Sequence, residues 1–334
     1  MILRILFSCL LGVFAIHSCG WAEEEEQSRP LLGTIVTVKV CDPFADGRVA
    51  QVFDKVWARL EEINRRLHPY DVGSEIVRIN QAAGALVDVT DDVYRLLRAA
   101  KGYVQETRGA FDIAVGPLSD LWKEAERRDV FPSTGDVRGV LPLVDTDKVD
   151  LLPTGQVRLR QAGMRIDVSG MAQGYAADEA ARILRQTGFR DFLLDTGGEI
   201  YAAGLNCRQQ SWRVGVSDPR APRAMEAVLS VRDAAVSTSG DYERSFEIRG
   251  QRWSHIINPI TGYPLTGVAG VTVIAPTATE ADVLSTAVSV LGPRHGLRLI
   301  ASKGRGYEAM ILLRDANGGL ERSETEGYKR YLSR

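Results

Sequence analysis

Three neighbouring stretches decide the fold: FLLDTGGEIYAAG at residues 192–204, WRVGVSD at 212–218 and EAVLSVRDAAVSTSG at 226–240. Each is a short run rich in apolar and β-branched residues with turn-forming residues around it, so the chain reads as strands that fold back and pair antiparallel. Working outward, GVTVIAP (270–276), VRLR (157–160) and MRIDVSG (164–170) read as further strands, and GTIVTVKV (33–40) alternates apolar and polar residues as a half-buried strand does. Helices are interspersed among them. Val52, Val56, Leu60, Ile63 and Leu67 recur at helical spacing over Arg48–Leu67 and give it one apolar face. A second helix is expected over Asp91–Thr107, with Thr90 as N-cap and Gly109 just past its end. A third spans Met171–Thr187 and stops at Gly188, and a fourth spans Glu280–Leu291 and is closed by Gly292-Pro293. The polar, turn-rich segment 123–150 reads as an irregular excursion. Many strands among a few long helices make an α+β fold of antiparallel sheets with packed helices. No strand is followed by a GxGxxG fingerprint, which argues against a Rossmann domain.

The chain has 334 residues, 45% hydrophobic and 25% charged, which suits one large globular domain or two intimately packed ones. A formal net charge of -2 gives no long-range attraction to nucleic acid or to an acidic membrane surface. An anionic ligand has to be held locally.

The N-terminus differs from the rest. MILRILFSCLLGVFAIHSCGW combines basic Arg4, an apolar run from Ile5 to Ile16 and small residues before Cys19, the pattern of a secretory signal, and the run is short for a bilayer span. Ile16-His17-Ser18-Cys19 resembles a bacterial lipobox, in which cleavage leaves an acylated cysteine as the new N-terminus, although His17 is unusual there. Simple cleavage is the alternative. The expected layout is a lipoprotein-type signal at 1–18, an acidic tether at 19–29 carrying Glu23–Glu26, and one domain at 30–334. The mature protein is then expected on the periplasmic side of the inner membrane, lipid-anchored at Cys19. Cys41 and Cys207 remain for the mature fold without metal-ligand spacing, and they either pair in an oxidising compartment or stay as buried thiols.

Glycine-rich turns recur beside acidic or hydroxyl residues in GAFDIAVGPL (109–118), DVSGMAQGYAAD (167–178), DTGGEI (195–200) and STSGDYE (237–243). Glycine lets backbone amides approach a ligand, and amides at a helix start suit phosphate, although each turn alone is compatible with a plain tight turn. In SHIINPITGYPL (254–265), His255 precedes a rigid turn loaded with polar groups, which makes it a candidate general base as well as an ordinary packed histidine. Asp282 and Thr286 are four residues apart and share one helix face, a spacing that offers a carboxylate and a hydroxyl to one hard cation. Without such a cation, Thr286 simply bonds back into its own helix.

Taken in order, LLGTIVTV, HPYDVGSEIVRIN, GAFDIAVGPL, IDVSGMAQGYAAD, LLDTGGEI, STSGDYER, HIINPITGYPL and EADVLSTA resemble the ApbE family of FAD:protein FMN transferases over nearly the whole mature chain. The resemblance implies a T-fold-related α+β architecture with FAD in a cleft between two subdomains. It implies that Tyr70, Ala110, Phe111, Asp112 and Asp167 line the flavin nucleotide, with Gln173 and Ile256 nearby. It further implies that the Gly170 carbonyl and the side chains of Asp282 and Thr286 bind Mg2+, and that His255 is the functional histidine. Three positions depart from the family pattern: Leu32 stands for a usual methionine, Gln173 for lysine or glutamate, and Asn258 for aspartate. The implied activity is Mg2+-dependent transfer of FMN from FAD to a threonine or serine of an acceptor flavoprotein subunit of a membrane redox complex, with AMP released. Hydrolysis of FAD to FMN and AMP, or flavin binding without turnover, are the rival activities.

Overall fold

The computed structural model describes residues 24–41, 47–241, 245–315 and 317–333. The expected signal, Cys19, and Tyr242-Glu243 of the STSGDYE turn lie outside the described residues. The chain opens with a hairpin of β1 (Glu25–Leu31) and β2 (Thr34–Val40), in which Leu32 and Gly33, with φ of 56° and 73°, form the two-residue turn. The expected acidic tether is therefore corrected: from Glu25 onward it is an edge strand. Glu25 pairs with Val40 and Glu26 with Lys39, and the Lys39 ammonium meets Glu26 at 2.6 Å and Glu24 at 3.3 Å, so opposite charge across the ladder holds the acidic run.

Helix α1 (Arg48–Leu67) buries the apolar stripe seen in the sequence and adds Phe53 and Trp57. After it come α2 (Glu75–Gln81), β3 (Val87–Asp88) and α3 (Asp91–Glu106). Thr90 precedes α3 as expected but makes no side-chain cap; its hydroxyl bonds Glu75 instead, at 3.0 Å. Segment 123–150 is more regular than the sequence suggested. It holds the end of α4 (Gly116–Arg128), which buries Leu118, Trp122 and Ala125, and α5 (Thr134–Val140), started by a reciprocal capping box between Ser133 and Asp136. Strands β4 (Val149–Leu152) and β5 (Gln156–Leu159) follow. MRIDV joins no sheet, and the Asn80 side chain takes the place of a partner strand at Ile166: Asn80 Oδ1 accepts from Ile166 N–H at 2.8 Å, and Asn80 Nδ2 donates to the Ile166 carbonyl at 2.9 Å.

The remaining elements are α6 (Ser169–Gln186), β6 (Phe192–Asp195), β7 (Ile200–Ala203), β8 (Trp212–Asp218), β9 (Ala221–Val231), β10 (Ala234–Gly240), β11 (Ser245–Ile248), β12 (Gln251–Ser254), β13 (Val268–Ala275), α7 (Ala278–Ser302), β14 (Glu308–Arg314) and β15 (Leu320–Glu324). The regular run of α7 stops at Gly292-Pro293, as expected, and a further helical stretch follows directly to Ser302. Gly292 breaks it with φ of 68°, and Pro293, suited to a first helical turn, restarts it.

Eight strands form the main sheet in the order β1-β2-β6-β7-β10-β13-β14-β15, every pair antiparallel, which is the α+β architecture expected. Alternation along the strands feeds two cores. Val271, Val273, Ala309 and Ile311 face the layer of α1, α3, α6 and α7, whereas Ile274, Met310 and Leu312 face the β8–β9 ribbon. A third apolar cluster joins α4 and α5 to β11 and Ile257. Arg59 ties the helical layer together by bonding Asp92 of α3 and Glu179 of α6. Cys41 and Cys207, left open by the sequence, form a disulfide between the end of β2 and the loop after β7. No helix among the described residues is long and apolar enough to cross a membrane.

Candidate active site

The expected metal ligands sit where α6 and α7 cross. Small residues make the crossing close: Gly174, Ala177, Ala278 and Ala281 are all buried, and a Cβ on Gly174 would lie 2.7 Å from the Ala278 carbonyl carbon and 2.8 Å from Thr279 Cα. Asp282 points into this interface and is 6% exposed. Its Oδ2 accepts the Gly174 N–H at 3.1 Å, whereas Oδ1 accepts no hydrogen bond among the described residues. Burial raises the Asp282 pKa, with the Gly174 bond opposing the shift and the nearby Asp178 charge adding to it. A cation beside Oδ1 would offset that desolvation.

Gly170 supplies the second wall. It breaks the start of α6 with φ of -79° and ψ of 16°, and a Cβ there would lie 3.3 Å from the Phe111 ring and 3.7 Å from Thr286 Oγ1. Gly170, Phe111 and Thr286 thus meet at one point. The back-bond from the Thr286 hydroxyl to the Asp282 carbonyl is long, at 3.4 Å. The Asp282 carboxylate, the Thr286 hydroxyl and the expected Gly170 carbonyl would make an all-oxygen donor set of the kind that suits a hard divalent cation. Behind it, Ser285 of α7 bonds Ser239 at 2.7 Å and Ser237 at 3.3 Å on β10. The sequence reading assigned these serines no part; their period-two spacing in STSG facing one helix position was the available signal.

Ala110 and Phe111 are buried. Asp112 is a capping group: it accepts from Ala114 N–H at 2.7 Å, from Thr146 N–H at 3.3 Å and from the Thr146 hydroxyl. Burial raises its pKa, and these bonds, led by that from the Thr146 hydroxyl, oppose the rise. Asp167 accepts from Ser169 N–H at 3.0 Å and its hydroxyl at 2.7 Å, and the Asp167 N–H donates to Ile113 at 2.7 Å, so the two aspartates sit on adjoining segments. Gln173 reaches the Leu32 carbonyl at 3.4 Å, and its own carbonyl accepts from the Thr196 hydroxyl at 3.1 Å. This brings the β1–β2 turn and the DTGGE loop to the start of α6, next to an open groove of about 560 Å³ bordered by Leu32, Thr34, Asn64 and His68.

Tyr70 and His255 lie on loops linked by α4. Tyr70 is 69% exposed, and Lys123 of α4 donates to its hydroxyl at 2.9 Å. The neighbouring Trp122 donates to the Gly262 carbonyl at 2.9 Å in the turn that follows His255. His255 occupies an exposed bend after β12, while Ile256 beside it is buried. Asn258 caps this turn, its Oδ1 accepting from Ile260 N–H at 2.9 Å and Thr261 N–H at 3.2 Å. An amide oxygen fills that role as a carboxylate would, so the missing charge at Asn258 leaves the turn intact.

Comparison with known proteins converges on one family. The model of the ApbE family matches residues 32–311. An FAD:protein FMN transferase of Treponema pallidum is 32% identical, the match covering 93% of this chain and 90% of that protein. One of Haemophilus influenzae is 30% identical over 97% of each chain. Among solved structures, the ApbE protein of Thermotoga maritima superposes with a TM-score of 0.82 at 30% identity, covering 93% of this chain and 100% of that one. The Pseudomonas stutzeri flavinyl transferase ApbE gives 0.81 at 29% identity, covering 92% and 96%.

Proposed function

The chain belongs to the ApbE family, and from that premise we propose that it is an FAD:protein FMN transferase, moving the FMN half of FAD to a threonine or serine hydroxyl of an acceptor flavoprotein and releasing AMP. The observation that carries the reading is the convergence of Gly170, Phe111 and Thr286 beside the buried, half-committed carboxylate of Asp282. The Gly170 carbonyl, Asp282 and Thr286 would hold magnesium, which would supply Lewis-acid neutralisation of charge on the FAD pyrophosphate. The exposed Tyr70 offers an aromatic face to the flavin, and the buried Ala110, Phe111 and Ile256 back the surface on which the nucleotide is held. Asp112 and Asp167 fix the adjoining segments in which they lie, and Gln173 ties the β1–β2 turn to α6.

In transfer, the acceptor hydroxyl oxygen bonds to the phosphorus next to riboflavin. The bond from that phosphorus to the bridging oxygen breaks, and AMP departs with that oxygen. His255 takes the hydroxyl proton. Its position on an exposed bend supports this role, because the proton donor belongs to a second macromolecule that must approach from outside. The test is AMP release from FAD by the purified chain. Release that requires both Mg2+ and the acceptor is expected; equal release without acceptor makes the enzyme a pyrophosphatase, and no release refutes both.

We place the mature protein on the periplasmic side of the inner membrane, anchored by lipid on Cys19 and serving flavin-carrying subunits of membrane redox complexes. The Cys41–Cys207 disulfide supports an oxidising compartment. Cys19→Ala should move the chain out of the membrane fraction. A variant that is still lipid-labelled overturns the anchor.

A further inference from the structure

We propose that Asp178 is a positioning residue for the metal site, holding α7 in the register on α6 that sets Asp282 and Thr286 against Gly170. The inference rests on the reading of Asp282 as a metal ligand. The two helices are joined by a reciprocal pair of carboxylates, each borne by one helix and accepting backbone N–H of the other. Asp178 of α6 accepts from Ala278 N–H at 2.8 Å, Thr279 N–H at 2.9 Å and the Thr279 hydroxyl at 2.5 Å. Asp282 of α7 accepts from Gly174 of α6 at 3.1 Å. Gly174 and Asp178 are one turn apart on α6, and Ala278 and Asp282 one turn apart on α7, so the two links lie side by side along the crossing.

The chemistry at the α7 start explains why Asp178 has this work to itself. The first amides of a helix have no partner within it. The side chain of Thr277, the N-cap, accepts from Glu280 N–H at 3.2 Å and donates to the Glu280 carboxylate at 3.0 Å, and it makes no bond to the amides of Ala278 or Thr279 among the described residues. The amides of Ala278 and Thr279 are served from the other helix. Loss of Asp178 leaves both donors unpaired in the interface and lets α7 slide or rotate over the smooth Gly174 contact. Removal of Thr277 loses a cap on the same helix without loosening it from α6.

Mn2+ binding to the full chain, without FAD, reads this directly through the electron paramagnetic resonance signal of the free ion. Groups that orient metal ligands typically contribute about ten- to a hundredfold in affinity, so Asp178→Ala should weaken Mn2+ binding by at least about tenfold. Thr277→Ala should lower the unfolding temperature yet keep wild-type Mn2+ affinity. Should Asp178→Ala fail to fold, Asp178→Asn, with one acceptor oxygen for three donors, is read in the same way and should also bind weakly. A folded Asp178 variant with wild-type Mn2+ affinity overturns the proposal, as does Thr277→Ala weakening Mn2+ to the same degree. Asp282→Asn separates this from the underlying reading: wild-type Mn2+ binding by that variant removes the metal site itself. Loss there with full binding by Asp178→Ala removes only the positioning role.

Discussion

The backbone N–H of Gly174 donates to Oδ2 of Asp282 across the α6–α7 crossing, and the second oxygen of that buried carboxylate accepts no hydrogen bond among the described residues. One bond fixes the carboxylate, and the remaining oxygen is left for a ligand.

Asp282 therefore costs the metal-free fold stability at neutral pH. Its pKa rises on folding from 3.8, chiefly through burial, so its favourable contribution is complete below 3.8 and is lost as pH rises through the raised value. An amide in its place cannot ionise. Asp282→Asn should melt above wild type at pH 8 without Mg2+, and the advantage should vanish at pH 4. Added Mg2+ should stabilise wild type but not the variant. Thermal melts at both pH values check this; a variant that melts lower at pH 8 and still gains from Mg2+ contradicts it.

Gly174 is predicted to tolerate no side chain. A Cβ there meets backbone atoms of α7, which cannot turn aside as a side-chain tip can. Gly174→Ala should destabilise the chain by about 1–3 kcal/mol by overpacking and weaken Mg2+ together with it. Denaturant titration measures the first effect; a neutral or stabilising result would show that the helices are not in the contact described.

The disulfide gives a stability prediction independent of the site. Cys41 and Cys207 are separated by 166 residues, and in the chain-entropy description closing so long a loop stabilises by up to about 5 kcal/mol. Reduction, or Cys207→Ser, should shift the denaturant midpoint downward by several kcal/mol equivalent. Identical unfolding curves with and without reductant would be incompatible with the bond.

The legible parts of this fold are those written in local periodicity. The α1 stripe from Val52 to Leu67 and the strand run 212–218 carry their own period, and the structure uses them as read, whereas the run 226–240 divides at Arg232-Asp233 into β9 and β10 of separate sheets. The misread parts depend on distant partners. MRIDV has a strand's composition, but Asn80, 86 residues away from Ile166, takes a partner strand's place there. The acidic run at Glu25-Glu26 is a strand because Lys39 lies opposite. Within the site, the Asp282/Thr286 pair was legible because both sit on one helix. Asp178 and Gly174 stood inside a quoted motif without a role, since their partners lie about a hundred residues on and only the helix crossing brings them together.

The central claim is that FMN ends on the acceptor, and intact mass spectrometry of the acceptor reads it. With FAD, Mg2+ and wild-type enzyme, the acceptor should gain the mass of one FMN phosphoester, abolished when its target hydroxyl is replaced, with AMP in equal amount. Removing a general base typically lowers the rate by about two to four orders of magnitude, so His255→Ala should bind FAD near normally and modify almost no acceptor in the same time. An acceptor of unchanged mass while FAD is split to free FMN and AMP would contradict the account.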